Sequence, residues 1–357
     1  MILALIAIVL TLILVIGLHE AGHAIMAKLF GVRIQRIAIG FGKPLLSWKD
    51  KSGREWLWGI WPLGGYVQLL NSRIQPVDEK DLSFCFDKKP VWIRLIILVA
   101  GILANLLTAW LALTWMFMLG YQQNTPFIQQ VIPQSIAAQA GFKAGDHFAE
   151  IAGQRTNSWQ EVGMSLIMNL GKAGVPVSVS DEEGHSRKFN LDLSQWHYKR
   201  QDSSLLAALG IVSGPLKLHR QEVKGQTFLV ASHQAVNKLV HLLTFFLVML
   251  KQLITAVIPF AVLLGPLGLF EVSAGSFFQG IAVFLYFIAS LNLAVGLVNL
   301  FPIPGLDGGS IVYTLVEKFR GKPVSVAFEI LLHRLAIIIF AILLIQLLMN
   351  DLQRYLH

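Results

Sequence analysis

His19, Glu20 and His23 stand together in the segment HEAGH, inside an apolar stretch. On a helix, positions i and i+4 share a face. Two imidazoles at this spacing can reach one Zn²⁺ while the neighbouring carboxylate holds a water beside it. A solvated helix surface produces the same pattern in soluble proteins. Here residues 1–18 carry no charge and the first basic residue is Lys28, so that reading has no solvent to rest on. Ionisable groups in such a stretch mark functional sites by default. The chemistry expected is metal-assisted hydrolysis, with His19 and His23 as ligands and Glu20 as general acid/base.

Two imidazoles do not complete a catalytic zinc site, which keeps three protein ligands and one open position. The best third ligand is Asp307 in NLFPIPGLDGG, residues 299–309, at the end of a charge-free run. Pro302 and Pro304 break the helix there. Gly305, Gly308 and Gly309 are expected to let the backbone bend near a metal. The competing reading of Asp307 is an N-cap on an ordinary turn. Asn299, eight positions earlier, is expected to hold substrate or the oxyanion, with a helix-packing amide as its alternative.

The elements that must carry these groups are membrane helices. The chain is 55% hydrophobic and only 14% charged, well below the roughly 25% of globular chains. Four apolar runs, 1–30, 91–120, 272–306 and 328–350, each exceed the ~20 residues a spanning helix needs. A fifth, 239–270, is interrupted by Lys251, Gln252 and Pro259. The net charge of +8 falls between the runs, without a basic stripe interleaved with aromatics, so a nucleic-acid partner is not expected. From Gly31 to Arg94 there are 11 Lys/Arg, against 10 in the much longer stretch from Tyr121 to Ala235. The positive-inside rule then puts the first loop in the cytoplasm, and the second loop and both termini outside. Asp307 must reach the depth of the histidines, so the fifth run is expected to lie along the outer surface or re-enter from it. Cys85 stands alone, which leaves no disulfide and no cysteine-rich metal site. A cleavable signal peptide is not expected, because the first run lacks a basic leader and holds the metal motif.

The second loop alternates turn and strand signals around AAQAGFKAGDHFAEIAGQ, residues 137–154, with a helical pattern over 159–170 and strands VPVSVS and RKFNLDL joined by DEEGH. It resembles a bacterial PDZ domain. Such domains bind extended peptides at a sheet edge, so a peptide ligand is the expectation; a plain spacer is the alternative.

Taken together, HEAGH, the following GVRIQRIAIGFGK, WPLGGYV (61–67), GILAN (101–105), the PDZ-like loop and NLFPIPGLDGG resemble the site-2 protease family, most closely its RseP type. Those enzymes are intramembrane zinc metalloproteases of bacterial envelope-stress signalling. The resemblance covers almost the whole chain. It implies a zinc metalloendopeptidase with His19, His23 and Asp307 as ligands, Glu20 as acid/base and Asn299 contacting substrate. It also implies a membrane-dipping β-hairpin from EWLWGIWPLGGYVQL beside the active site. There Gly64, Gly65, Tyr66 and Val67 would pair with an unwound substrate helix. The substrates implied are pre-trimmed single-pass proteins, such as anti-sigma factors or remnant signal peptides, in the bacterial inner membrane, with the site opening to the cytoplasm.

The expected architecture is a polytopic α-helical membrane protein. It has transmembrane helix 1 (1–32), a cytoplasmic loop with the β-hairpin (33–90), helix 2 (91–120), one PDZ domain (121–215), a linker with an interfacial or re-entrant helix (216–271), helix 3 (272–310), and a cytoplasmic turn with helix 4 (311–357). Two departures from the family stand out. The loop has room for one PDZ domain where the better-known relatives carry two, and Gly101-Ile102 replaces a frequent Gly-Pro. The rival readings are a catalytically silent PDZ scaffold with a structural metal, which would not need Glu20, and a metal transporter, which would need more polar residues along the bundle.

Overall fold

The first apolar run folds as α1 (Ile2–Leu12), a π-helical turn (Ile13–Gly17) and α2 (Leu18–Leu29). A π-turn re-phases the residues that follow it, and such turns cluster at functional sites; this one ends two residues before His19. The computed structural model describes residues 2–181, 183–194, 196, 204–213 and 220–356, without the side chains of Pro62 and Leu63. Met1 of the first run, Glu182 of DEEGH and residues 214–219, where the expected domain meets its linker, lie outside the described residues.

Next come β1 (Ile34–Lys49) and β2 (Glu55–Leu69), joined by a turn at Asp50 and Gly53. Asp50 holds that turn through the backbone N–H groups of Ser52 and Arg54 and the indole of Trp56. The two long strands fold over one another. Ile37 lies opposite both Val67 and Trp56, and Trp48 lies opposite Trp56 on the far side. The arm Gly65–Leu69 therefore has Ile34–Ile39 on one side, and among the described residues no strand pairs with its other edge. After this sheet, α3 (Val91–Leu119) opens the second long apolar stretch.

The chain divides into two compact units. One gathers Met1–Met116, Phe228–Leu239 and Leu263–His357. The other gathers Phe117–Thr227 and Val240–Val262. The second is built on β3 (Tyr121–Asn124), β4 (Ile128–Val131), α4 (Ile136–Ala140), β5 (His147–Ile151), β6 (Gln154–Arg155), α5 (Trp159–Met168), β7 (Val175–Ser180), β8 (Ser186–Leu191), α6 (Leu205–Leu209), β9 (Ile211–Ser213) and β10 (Arg220–Val223). Its main sheet has the order β6-β5-β7-β8, with β4 pairing β9 and β3 pairing β10. Alternation in β7 sends Val175, Val177 and Val179 into a core with Ile151, Val162, Leu166 and Leu191. Buried Asp146 fixes the turn before β5 by accepting from the N–H of Lys143 and pairing with Arg187.

In the first unit, α7 (Phe228–Ile254) begins well before the expected fifth run; only its start, to Leu239, belongs to this unit. The stretch expected as one helix over 272–310 is divided. α8 (Pro266–Gln279) and α9 (Ile281–Leu300) meet at Gly280, whose φ of 122° ends one helix before the next begins. The region expected as a turn after residue 310 is instead helical: α10 (Asp307–Arg320) precedes α11 (Val326–Leu356). Asp351 of α11, 1% exposed, caps α8 by accepting from the N–H groups of Gly265, Leu267 and Gly268 at 2.8, 2.9 and 3.1 Å.

Among the described residues, six helical stretches are long and apolar enough to cross a membrane: Ile2–Leu29, Val91–Leu119, Phe228–Ile254, Phe260–Gln279, Ile281–Leu300 and Val326–Leu356. The chain is a polytopic α-helical membrane protein with small sheets. Apolar side chains all along α11, from Phe328 to Leu356, lie exposed, as lipid-facing residues do.

Candidate metal centre

α2 presents His19 and His23 on one face, with both residues and Glu20 buried at 7–8% exposure. The imidazoles lie 4.8 Å apart at 82°. Asp307 arrives from the other end of the chain. α9 ends at Leu300, the segment Phe301–Leu306 turns through Pro302, Pro304 and Gly305 (φ 93°), and Asp307 opens α10. Its N-cap is Leu306, so Asp307 is not the cap. Contrary to the expectation from sequence, Gly308 and Gly309 do not bend the chain. They lie inside α10 and let it approach the carbonyls of Leu300, Phe301 and Ile303, where a Cβ would collide.

The three donor atoms form a regular triangle. His19 Nε2 to Asp307 Oδ2 is 3.2 Å, His23 Nε2 to Asp307 Oδ2 is 3.2 Å, and His19 Nε2 to His23 Nε2 is 3.2 Å. A tetrahedral zinc with bonds of about 2.0–2.1 Å has ligand-to-ligand edges of about 3.3 Å. Protonation leads to the same conclusion. His23 Nδ1 lies 2.8 Å from the carbonyl of Ile97, which can only accept, so Nδ1 carries a hydrogen and, in the neutral imidazole, Nε2 offers a lone pair. Asp307 Oδ2 is buried with no hydrogen-bond donor. With the neutral imidazole, His23 Nε2 and Asp307 Oδ2 thus face one another as acceptors, an arrangement a cation resolves. The donor set of two imidazoles and a carboxylate fits zinc.

α3 walls this centre. A Cβ on Gly101 would lie 2.8 Å from His19 Cε1 and overlap the His23 ring, so only glycine leaves room for both imidazoles. The sheet closes the side at Glu20. A Cβ on Gly65 would lie 3.1 Å from Glu20 Cγ and 2.7 Å from Ile16 Cγ2, and the backbone amide of Val67 faces the Glu20 carboxylate. The open edge of β2 therefore abuts the carboxylate. Gly64 (φ 139°) and Tyr66 are organised by Phe41, whose ring stacks on Tyr66 at 6.2 Å and occupies the space a Gly64 side chain would need.

Of the residues singled out from sequence, His19, Glu20, His23, Asp307, Gly65 and Val67 converge. Gly64 and Tyr66 flank them through Phe41. Asn299 is half-buried near the end of α9 and makes no side-chain hydrogen bond among the described residues. Sequence reasoning missed the carbonyl of Ile97, since a backbone acceptor leaves no mark in residue type. It noticed Gly101 in GILAN without a role; a glycine mid-way through a long apolar helix was the available signal.

Comparison with known proteins agrees with this chemistry. The model of peptidase family M50 matches residues 7–344. Protease RseP of Yersinia pestis is 27% identical over an alignment of 441 positions, covering 98% of this chain and 98% of that protein. A regulator of sigma E protease from Haemophilus influenzae is 26% identical, covering 97% and 98%. A protein described as a zinc metalloprotease from Xylella fastidiosa is 26% identical, covering 86% and 89%.

Proposed function

The chain belongs to peptidase family M50 and is a zinc metalloprotease, and we propose on that premise that it hydrolyses peptide bonds within membrane-spanning segments. The observation that carries this is the convergence of His19, His23 and Asp307 at 3.2 Å within apolar helices, beside Glu20 and an open strand edge. His19, His23 and Asp307 would hold the metal. When bound there, zinc supplies Lewis acidity toward the scissile carbonyl and the attacking water. Glu20 takes the proton of that water and returns it to the leaving amine. Asn299, on the helix that leads to Asp307, is assigned to the substrate carbonyl.

A helical substrate keeps its carbonyls hydrogen-bonded, so it must unwind before attack. The free edge of Gly65–Leu69 can accept an extended strand, and the amide of Val67 sits where that strand would meet the base. Val67→Pro removes this donor. One hydrogen bond is worth about 0.5–1.5 kcal/mol, which corresponds to a loss of up to about tenfold. Cleavage of a model transmembrane substrate should fall by that factor. A substrate carrying Gly-Pro at the scissile region should fall less, because it needs less unwinding. Equal losses at normal zinc content would leave the sheet as a support for Glu20 and not a substrate clamp.

The second compact unit serves as a single PDZ-like domain. Its four-stranded sheet, the β4–β9 pair and α5 support this. So does length: an alignment 441 positions wide against 357 residues leaves the Yersinia relative longer by roughly 80 residues, about one small domain. A relative named a regulator of sigma E protease supports the reading that anti-sigma-factor-like or signal-peptide-like substrates are cut here, in a bacterial inner membrane. The PDZ-like domain and both termini are placed outside, and the site opens to the cytoplasm.

Four of the six apolar helices are read as full crossings: Ile2–Leu29, Val91–Leu119, Ile281–Leu300 and Val326–Leu356. The first and third of these must run in the same direction to bring Asp307 to His19. Phe228–Ile254 and Phe260–Gln279 therefore cross together or not at all. The former is the least apolar of the six and carries Lys238, His241 and Lys251, which suits the outer surface. Thr255, exposed between them, decides the matter. In a Cys85→Ser background, Thr255→Cys should react with an impermeant reagent from the same side as Lys224→Cys. Reaction from the opposite side would mean six crossings.

A further inference from the structure

α3 touches both ligand-bearing helices within one turn of itself. The carbonyl of Ile97 accepts from His23 Nδ1 at 2.8 Å and so orients α2's second imidazole. One turn earlier, Arg94 makes a two-point contact with Glu317 of α10: Nη1 to Oε2 at 2.9 Å and Nη2 to Oε1 at 2.7 Å. The Arg94 side chain is 6% exposed and that of Glu317 22%. Such a buried fork is directional as well as strong, and a lysine cannot reproduce it.

Asp307 and Glu317 are opposite parts of one rod. α10 begins at Asp307, and Glu317 lies roughly 15 Å further along its axis. The link that brings α10 in, Phe301–Leu306, is non-helical and turns at Gly305; Gly308 and Gly309 seat the first turn of α10 against the carbonyls of Leu300, Phe301 and Ile303, which fixes the start of the rod and leaves freedom at its far end. Gripping Glu317 removes that freedom. We infer that Arg94 is a positioning residue for the third metal ligand: through Glu317 it holds α10, and so Asp307, in register with His19 and His23. This rests on the reading of Asp307 as a ligand. The same guanidinium holds the Glu317 carboxyl below the usual glutamate range, so the pair stays ionised through neutral and mildly acidic pH and is lost only as the pH falls below that range.

The test uses the full chain in detergent, loaded with zinc or Co²⁺. Zinc release to a chromophoric chelator is timed and the Co²⁺ visible spectrum recorded, with helix content measured in parallel. Arg94→Met and Glu317→Gln should each release zinc about tenfold faster, the lower end of the 10–100-fold expected when a group supporting a metal ligand is lost. The Co²⁺ bands should shift at unchanged helix content. Arg94→Lys, which keeps the charge but loses the fork, should fall between these and wild type. Arg33→Met breaks another two-point pair, to Asp81, away from α10, and should leave both readouts as in wild type. Wild-type release and spectra in Arg94→Met and Glu317→Gln would overturn the inference, as would faster release only in proportion to lost helicity. If Arg94→Met does not fold, Glu317→Gln and Arg94→Lys carry the test. Asp307→Ala separates the two levels. If it keeps zinc as wild type does, the ligand reading fails. If it loses zinc while the Arg94 and Glu317 variants do not, only the positioning role fails.

Discussion

Glu20→Gln is expected to leave zinc stoichiometry and helix content unchanged while cutting turnover of a transmembrane substrate by about a hundred- to ten-thousandfold. Glutamine keeps the volume of the side chain and an acceptor oxygen for the amide of Val67, so the packing against Gly65 and Ile16 survives. It cannot take a proton from water. Zinc should be unaffected because Glu20 is not one of the three donors in the 3.2 Å triangle. Metal analysis beside a cleavage assay checks both halves. Appreciable turnover by the variant would mean that Glu20 is not the acid/base.

The second large effect concerns the metal itself. Asp307→Ala leaves two imidazoles, and zinc should be lost to a chelator at least about a hundredfold more readily, beyond the effect of losing a supporting group. Asp307 also opens α10, so helicity must be followed as a control. The expected result is a protein folded as wild type with little zinc after gel filtration. Full occupancy in purified Asp307→Ala would sink the ligand assignment.

Local chemistry was legible in the residues because each signal needs only a few neighbours. HEAGH in a charge-free run specifies two imidazoles on one face with a base beside the first, since the 3.6-residue period is local. The β-hairpin over EWLWGIWPLGGYVQL was expected from the family resemblance, and β2 covers that segment. Asp307 stood out because a carboxylate ending a charge-free run is costly without a partner. The length of the second loop likewise announced a separate small domain.

Helix boundaries were less legible. The run 272–306 reads as one apolar stretch, yet the backbone breaks at Gly280, because hydropathy does not register a single positive φ. The link after residue 310 reads as a cytoplasmic turn but is helical as far as Arg320, where Gly321 (φ 69°) ends it; its contact through Arg94 and Glu317 joins residues more than two hundred positions apart. No local window contains both partners.

The residue types that could do the chemistry were thus determined by sequence alone. Only the tertiary structure decided that His19, His23 and Asp307 close to a 3.2 Å triangle, that Ile97 fixes one tautomer, that Gly101 leaves room for the rings and that the edge of β2 abuts Glu20. Each of these is a contact between distant segments, set by the packing of helices and a folded-over sheet. Such contacts depend on backbone position, which residue type does not encode.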